Sequence, residues 1–588
     1  MLNLTKTSLF IASCATAVAA LMASCTNIDE IDDGRLTDKA VFGNPKKVAG
    51  YLNYCYANLT NRGLVLEGNT MLAAYCDEAY DVYDQLNGAP EQWMAGRVTS
   101  FNCPISNPGG WSNCYEGIRK CNKFIENIDD AVTYDEDERE SFRAQAYGLR
   151  AYYYLCLIKN SGGVPLILSN IGVDIPADTK RASFAECARQ IISDCEKVLE
   201  VSDDNIRLTW FSGTIEDDRY RFSKGMACAI MSQAALYAAS PLNAADGNFS
   251  WSEAAQVTKR ALDLCLEHGY ELFTTAPTNN AALSCYDLYF TMRSDVQGVI
   301  DKETIMESKN QLSVWSDNGL PSILGQVKAG ACPTQELIDC YETTDGKMPI
   351  LGYADAQHLE PIFNPEATLY NEQAPYNNRD PRLESTIYHY NSLFEPGSKV
   401  KIDTRPTGAY APSESSIRNT RTGYYLRKFF GYKSDRSANY DGYFKIFRLA
   451  ELYLNYAEAL NEASQGNTPQ EALDAINAVR ARVGMPAIEA GISTDDFRTR
   501  VRNERRVEFA FEDQRFYDVR RWMILDQDKV VTGIKVIPGK LGRVTYERVV
   551  VSETRAATSG KYLRLPIPGT EITKLKAHTG IDFQNEGW

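Results

Sequence analysis

Histidine is scarce in this chain, with four residues in 588. His268, His358, His389 and His578 stand far apart, and the fifteen cysteines include no CxxC pair, so neither residue type falls at zinc-ligand spacing. Long apolar runs are missing as well. Beyond residue 25 the nearest is Ala151 to Ile158, eight residues that include three tyrosines, whereas a spanning helix needs roughly 20. Positive charge is in deficit, 62 Lys and Arg against 77 Asp and Glu for a net of −15. Such a surface repels phosphate backbones, so nucleic acid is not an expected partner. GxSxG, HExxH, the Walker phosphate loop and GxGxxG are all absent, which removes the commonest signatures of acyl transfer, zinc hydrolysis and nucleotide chemistry. Two carboxylates brought together by a fold would suffice for a glycosidase, and among 77 acids some will lie close by accident. The sequence is therefore read as that of a binding protein and not an enzyme. It assigns no cofactor and no metal ligands, and leaves a bound calcium open.

The first 24 residues read as a targeting segment, with Lys6 ahead of a short apolar stretch from Leu9 to Leu21. Leu21-Met22-Ala23-Ser24-Cys25 resembles the bacterial lipobox, in which the Cys is diacylated and becomes the new N-terminus, making Cys25 a membrane anchor. Asp29, Glu30, Asp32 and Asp33 follow it, and this acidic stretch resembles surface-export signals of Bacteroidetes lipoproteins. The expected location is the outer membrane, lipid-anchored and facing the exterior. Without Cys14 and Cys25 thirteen cysteines remain, an odd number. Cys156, Cys187, Cys195, Cys228 and Cys265 sit within helical apolar patterns, so few or no disulfides are expected.

Apolar residues recur at helical spacing, with little strict alternation before the last fifty residues. The clearest stretch runs from Tyr443 to Val483, where two stripes are separated by Gly466, with Thr468, Pro469 and Glu471 placed as cap, first position and capping-box acid of a second helix. Similar pairs appear near Phe142 to Leu199 and Phe222 to Leu266, the latter with Ser250 and Glu253 as a capping box. The expected fold is mainly α, a tetratricopeptide-repeat-like scaffold of helical hairpins with an irregular, loop-rich lobe. Cys76 to Gly110, Leu272 to Gln335 and Pro349 to Tyr440 read as long ordered loops, rich in Tyr, Asn, Pro and Gly. The expected organisation is a signal peptide over 1–24 and regions over 25–300 and 301–588, forming one compact globule.

Several segments together resemble the SusD/RagB family of Bacteroidetes surface lipoproteins. They include Arg143-Ala144-Gln145-Ala146-Tyr147-Gly148-Leu149-Arg150, Gly162-Gly163-Val164-Pro165-Leu166, Asn378-Arg379-Asp380-Pro381-Arg382 and Arg448-Leu449-Ala450-Glu451-Leu452-Tyr453. Glu504-Arg505-Arg506-Val507-Glu508, Asp518-Val519-Arg520-Arg521-Trp522 and Leu565-Pro566-Ile567-Pro568 continue the match to the C-terminus. The resemblance implies four tetratricopeptide-like units, a glycan ligand held by the irregular lobe, and a SusC-like TonB-dependent transporter as partner. Members resembling RagB handle peptides, so a peptide ligand stands as the alternative, with a surface adhesin as a third reading.

Arg505, Arg506 and Glu508 are read as structural ion pairs and not as an acid/base cluster. The arginines of Asn378 to Arg382 are read as ties from a loop to helix carboxyl ends. For the ligand, sugars offer apolar C–H faces and hydroxyl rims, which call for aromatic surfaces beside amides and carboxylates. Trp93, in the same stretch as Tyr80, Asp81 and Tyr83, and Trp315, near Asn318, supply these groups and are the candidate contacts. Trp111, preceding Tyr115 and Ile118 on one helical face, is read as core.

Overall fold

The computed structural model describes residues 37–59, 70–82, 89–105, 110–171, 175–212, 220–276, 284–291, 300–311, 328–394, 400–429, 442–525, 529–553 and 560–588. Cys25, Tyr83, Trp315 and Asn318 lie outside them.

The chain opens with α1 (Asp38–Phe42) and α2 (Pro45–Tyr56), then β1 (Ala79–Asp81) and α3 (Ala89–Met94). A run of long helices follows, α4 (Gly110–Asn127), α5 (Glu136–Ser161), α6 (Phe184–Leu199), α7 (Lys224–Ala239) and α8 (Trp251–Glu267). Each packs on the next, and α8 then meets a helix almost two hundred residues later, α12 (Leu449–Glu462). The order of burial explains the stack. Every residue of α7 is buried, as suits a helix that is apolar nearly all round, whereas α6 and α8 bury one face and start with complete capping boxes, Ser183 with Glu186 and Ser250 with Glu253. Close approach depends on two glycines: a Cβ at Gly117 would sit 2.5 Å from the Tyr153 ring of α5, and one at Gly148 would sit 2.2 Å from Phe222. The thirteen described cysteines form no disulfide and are mostly buried.

Between α8 and α12 the chain builds the lobe from short pieces: α9 (Cys285–Thr291), β2 (Thr304–Gln311), β3 (Ala331–Pro333), α10 (Gln335–Asp339), β4 (Ile350–Tyr353), β5 (Pro361–Phe363), α11 (Arg382–Thr386), β6 (Ile387–Tyr388), β7 (Tyr425–Leu426) and β8 (Tyr443–Arg448). It re-enters the stack through α12 (Leu449–Glu462), α13 (Gln470–Arg482), α14 (Thr494–Glu508) and α15 (Gln514–Arg521), and ends with a hairpin of β9 (Val531–Pro538) and β10 (Val544–Ser552) and with α16 (Gly569–Thr579). All the described strands pair antiparallel in twos. The helical scaffold and irregular lobe are those expected from the periodicity.

Two local expectations change. The α12–α13 hairpin forms, but its second helix has Pro469 and not Thr468 at the cap position, with no side-chain cap. The Thr468 hydroxyl instead donates to the Asn461 side chain at 2.8 Å, and Glu471 accepts from the Tyr456 hydroxyl at 3.0 Å, so tertiary partners have displaced the capping box. The stretch from Cys76 to Val82, read as the start of a long ordered loop, is buried throughout. Its backbone enters a ladder, Tyr80 opposite Cys332 and Asp81 opposite Ala331, which draws the segment between the helices and the lobe.

Arginines and carboxylates form buried clusters, the largest of them where stack and lobe meet. Glu508 on α14 accepts from Arg448 at 2.6 Å and Arg382 at 2.9 Å, and also from Arg482. Burial alone would push its carboxyl up, but Arg482, Arg448 and Arg382 hold it well below the usual carboxylate range. Arg382 continues to Glu504 at 2.6 Å and Asp380 at 2.7 Å, Arg448 to Glu512 at 2.7 Å and Glu303 at 2.9 Å. A separate cluster joins Arg505 to Asp518 at 2.9 Å, and Arg521 to Glu458 at 2.6 Å. Arg506 pairs with Asp77 at 2.8 Å. These side chains are structural, as the charge pattern suggested. Arg379 donates to the carbonyls of Ile338 at 2.6 Å and Tyr341 at 2.7 Å, tying its loop to the end of α10.

Trp93 belongs to the core. It is 0 % exposed, with its ring 4.9 Å from Tyr562 and 5.9 Å from Tyr75, both edge-on. Trp93→Ala should therefore lower stability by about 3–5 kcal/mol, the usual cost of emptying a large aromatic site. Thermal or urea unfolding checks this, and an unchanged Tm would contradict the core placement.

Candidate functional site

The three described candidates drawn from the early loop do not present themselves to a ligand. Trp93 faces inward from α3, Tyr80 is buried in the β1–β3 ladder, and Asp81 beside it accepts from the buried Thr70 hydroxyl. The misreading has a physical cause: a six-residue helix with Pro90, Trp93 and Met94 on its inner face looks, in sequence, like a polar loop carrying an exposed tryptophan.

The lobe instead offers a hollow of about 700 Å³ that the sequence did not single out. It lies within the ~300–1,000 Å³ range typical of small-ligand sites. One wall comes from the turn-rich segment before α11, with Gln373, Tyr376 and Asn377, and the other from β10, with Val544 and Tyr546. Glu384, His389, Tyr390, Asn391 and Arg427 close the floor and sides. The aromatic groups are locked to one another. Tyr376 stacks on His389 with centroids 3.7 Å apart and meets Tyr546 edge-on at 5.6 Å, while Tyr546 meets Tyr390 at 6.4 Å. Tyr376 and His389 are buried, so the rings of Tyr390 and Tyr546, each partly open, are the surfaces left for a ligand. Burial and the neighbouring Tyr390 push the Tyr546 hydroxyl up to about 12, so it stays a neutral O–H donor.

Charge inside the hollow is already matched. Both ring nitrogens of His389 face acceptors, Nδ1 the Tyr390 carbonyl at 2.9 Å and Nε2 the Glu384 carboxylate at 2.7 Å. Arg427 donates to the Glu384 carbonyl and lies 3.4 Å from Asp287. Partial burial works against ionisation of Glu384, but His389 and Arg427 overcome it and hold the carboxyl below its ordinary range. Gln373, Asn377 and Asn391 are exposed amides on the rim. The arrangement suits hydroxyl groups over aromatic faces. Among the described lining residues Glu384 is the single carboxylate, whereas acid-catalysed glycoside cleavage uses two.

A second depression, about 470 Å³, runs along α4 and α16, lined by Trp111, Tyr115, Ile118 and Leu575. Trp111 is buried against Tyr115, 5.0 Å between centroids, as its helical spacing suggested. Among the described residues no group of three or more His, Cys, Asp or Glu is placed to hold a metal ion, and no helix is long and apolar enough to cross a membrane.

The most perturbed carboxyl outside the ion-pair network is Glu78. Its side chain is fully buried and neither oxygen has a hydrogen-bond partner. Arg515 and Arg506 are spent on the adjacent Asp77, at 2.6 and 2.8 Å. Burial, and then the Asp77 charge, push Glu78 up to about 8. None of the hollows described above includes it, so this is a property of the core and not of a reactive site.

Comparison with known proteins places this fold and lobe. A family model described as "SusD family" matches residues 302–588, and another described as "Starch-binding associating with outer membrane" matches 39–236. A SusD-like protein of Formosa agariphila, P2, is 23% identical over 518 residues, covering 85% of this chain and 88% of its own. Among solved structures, a SusD-like protein of Bacteroides fragilis superposes with a TM-score of 0.71 at 24% identity, over 95% of this chain and 99% of that one. A laminarin-binding SusD-like protein gives 0.55 at 22%, over 93% and 100%.

The Glu78 environment sets a pH dependence. The folded chain keeps the proton up to about 8 while the unfolded chain releases it near the ordinary value of 4.5, so the folded state binds the extra proton in between. Stability contributed by this group is full below the ordinary value and falls as pH rises toward about 8, where it levels off. Glu78→Gln should match the parent at about pH 5 and exceed it at about pH 9 by on the order of 1–3 kcal/mol. Denaturant titrations at both pH values check this; equal gaps at the two would contradict it.

Proposed function

Since the chain belongs to the SusD family, we propose that it is an outer-membrane surface lipoprotein that captures oligo- or polysaccharide and delivers it to a SusC-like TonB-dependent transporter, without cleaving it. The observation that carries this reading is the lobe hollow, where two half-open tyrosines stand beside exposed amides and a hydrogen-bonded Glu384–His389 pair. A ring C–H face packs on Tyr390 or Tyr546, and the amides take the hydroxyl rim. The single carboxylate in the described lining supports binding without hydrolysis. The laminarin-binding relative is in keeping with a glycan ligand.

Delivery follows from what such a protein lacks. With no membrane-crossing helix among the described residues, inward movement of the ligand requires a separate pore. A lipid on Cys25 confines the body to the membrane plane and raises its effective concentration near that pore. Mild detergent extraction and affinity purification should recover a SusC-like transporter in near-equal amount. Recovery of the protein alone in several detergents, with normal growth on the ligand after deletion of the neighbouring transporter gene, would reject delivery and favour an adhesin.

Tyr390→Ala and Tyr546→Ala should each weaken glycan binding by roughly tenfold, since a lost aromatic contact is worth about 0.5–1.5 kcal/mol beyond its area, with little change in Tm because both rings are partly exposed. Calorimetric titration across a polysaccharide panel reads the affinity, and product analysis reads turnover. Wild-type affinity in both variants, or shortening of the bound glycan by the pure protein, would overturn the reading.

A further inference from the structure

Beside the lobe hollow stand three cationic side chains with no ion pair or hydrogen bond among the described residues. The β9–β10 hairpin turns through Lys540-Leu541-Gly542-Arg543, and Gly542 and the following Val544 line the hollow, so this tip stands at its edge. Lys540 and Arg543 are exposed, and neither side chain has an ion pair or hydrogen bond. On another side of the mouth, the backbone of Leu393, itself a lining residue, bridges to Lys401, which is exposed and equally uncommitted. Three cations without a partner among the described residues thus lie within two residues of a lining residue or are bridged to one, in a chain whose net charge is −15. The polar groups inside the hollow differ from them: Glu384, His389 and Arg427 all have partners. Arg405, close in sequence to Lys401, is also committed, to Asp403 at 2.7 Å. The acids next to lining residues in sequence are Glu372, beside Gln373, and Glu547, beside Tyr546 and opposite Lys535 in the hairpin ladder.

The tip is also strained. Leu541 is 97 % exposed and adopts φ 59°, a left-handed conformation that a glycine or asparagine would take at less cost. Hairpin tips shaped only for turning use those residues. A leucine kept in that geometry between two unpaired cations offers an apolar contact flanked by positive charge, and strained backbone of this kind concentrates at ligand-contacting positions.

Resting on the reading of the hollow as a glycan site, we propose that Lys401, Lys540 and Arg543 select the ligand, and that it is a glycan chain bearing carboxylate or sulfate groups. The neutral amides and tyrosines of the hollow hold a sugar ring, while the chain continuing out of the mouth meets the three cations. Surface cations act over a Debye length, about 10 Å at 0.1 M salt, so they also draw a polyanion toward a protein that otherwise repels it.

The full-length protein should be titrated with polygalacturonate, a sulfated galactan and a neutral glucan at low and high salt. At least one charged polymer should bind more tightly than the glucan, and the preference should shrink as salt rises. Replacing the three cations together (Lys401→Gln, Lys540→Gln, Arg543→Gln) should lower affinity for that polymer roughly tenfold and flatten its salt dependence, leaving Tm unchanged. A neutral glucan bound as tightly as both polyanions, or a triple variant that binds the charged polymer like the parent, would overturn the proposal while leaving the glycan site standing. Failure of every glycan to bind would instead remove the reading of the hollow itself, and this proposal with it.

Discussion

The whole architecture turns on one buried carboxylate. Glu508 receives Arg382 from α11, Arg448 from the β8–α12 junction and Arg482 from the end of α13, so three guanidinium groups from separate parts of the chain converge on the last residue of α14. Charges taken out of water at that depth are tolerated only when fully paired, and removing one partner from such a pair typically costs about 3–5 kcal/mol. The same condition makes the network a register device. Arg382 cannot reach Glu504, Glu508 and Asp380 together unless the lobe lies against α14 in one position. Burial of charge is thereby converted into a fixed junction between the repeat-like helices and the irregular lobe.

That junction explains how a lobe with so little regular structure can hold a shaped site. Its strands are short and paired only in twos, too little for independent stability. Side-chain ties do the positioning. Arg379 holds the loop before α11 to the end of α10, and Lys428 donates to the Ala510 carbonyl at 2.9 Å and the Glu512 carboxylate at 2.6 Å. Arg548 of β10 pairs with Asp339 at 2.7 Å, which sets the β9–β10 hairpin against α10. Tyr546 projects from the same strand into the hollow, so the aromatic wall inherits its place from a part-buried ion pair two residues away.

The scaffold was legible in the sequence because helical burial is periodic and its punctuation is local: Ser250 and Glu253 cap α8 as their spacing implies. The structural role of Arg505, Arg506 and Glu508 was legible for the same reason, since dense opposite charge on one helix has few other uses. The capping box at Thr468 failed because a tertiary partner, Asn461, competes for the same hydroxyl. Trp93 misled because nothing local marks which face of a six-residue helix turns inward; Tyr75, Phe516 and Tyr562, which enclose it, come from positions scattered over almost the whole chain. The hollow itself draws on residues from Gln373 to Tyr546, and Tyr390 and Tyr546 meet only through folding. The one available signal was the density of Tyr, Asn and Pro between 349 and 440, which located the lobe but not the residues that face its ligand.

The central claim is that a rigid, ion-paired base presents the lobe hollow to a sugar chain. A crystal structure of the protein with the oligosaccharide that binds it best tests this directly. It should show a sugar ring packed on Tyr390 or Tyr546, hydrogen-bonded to the amides of Gln373, Asn377 or Asn391, with the Glu508–arginine cluster unmoved. A ring seated elsewhere, for example in the depression along Trp111 and Tyr115, with only water between Tyr390 and Tyr546, would contradict it.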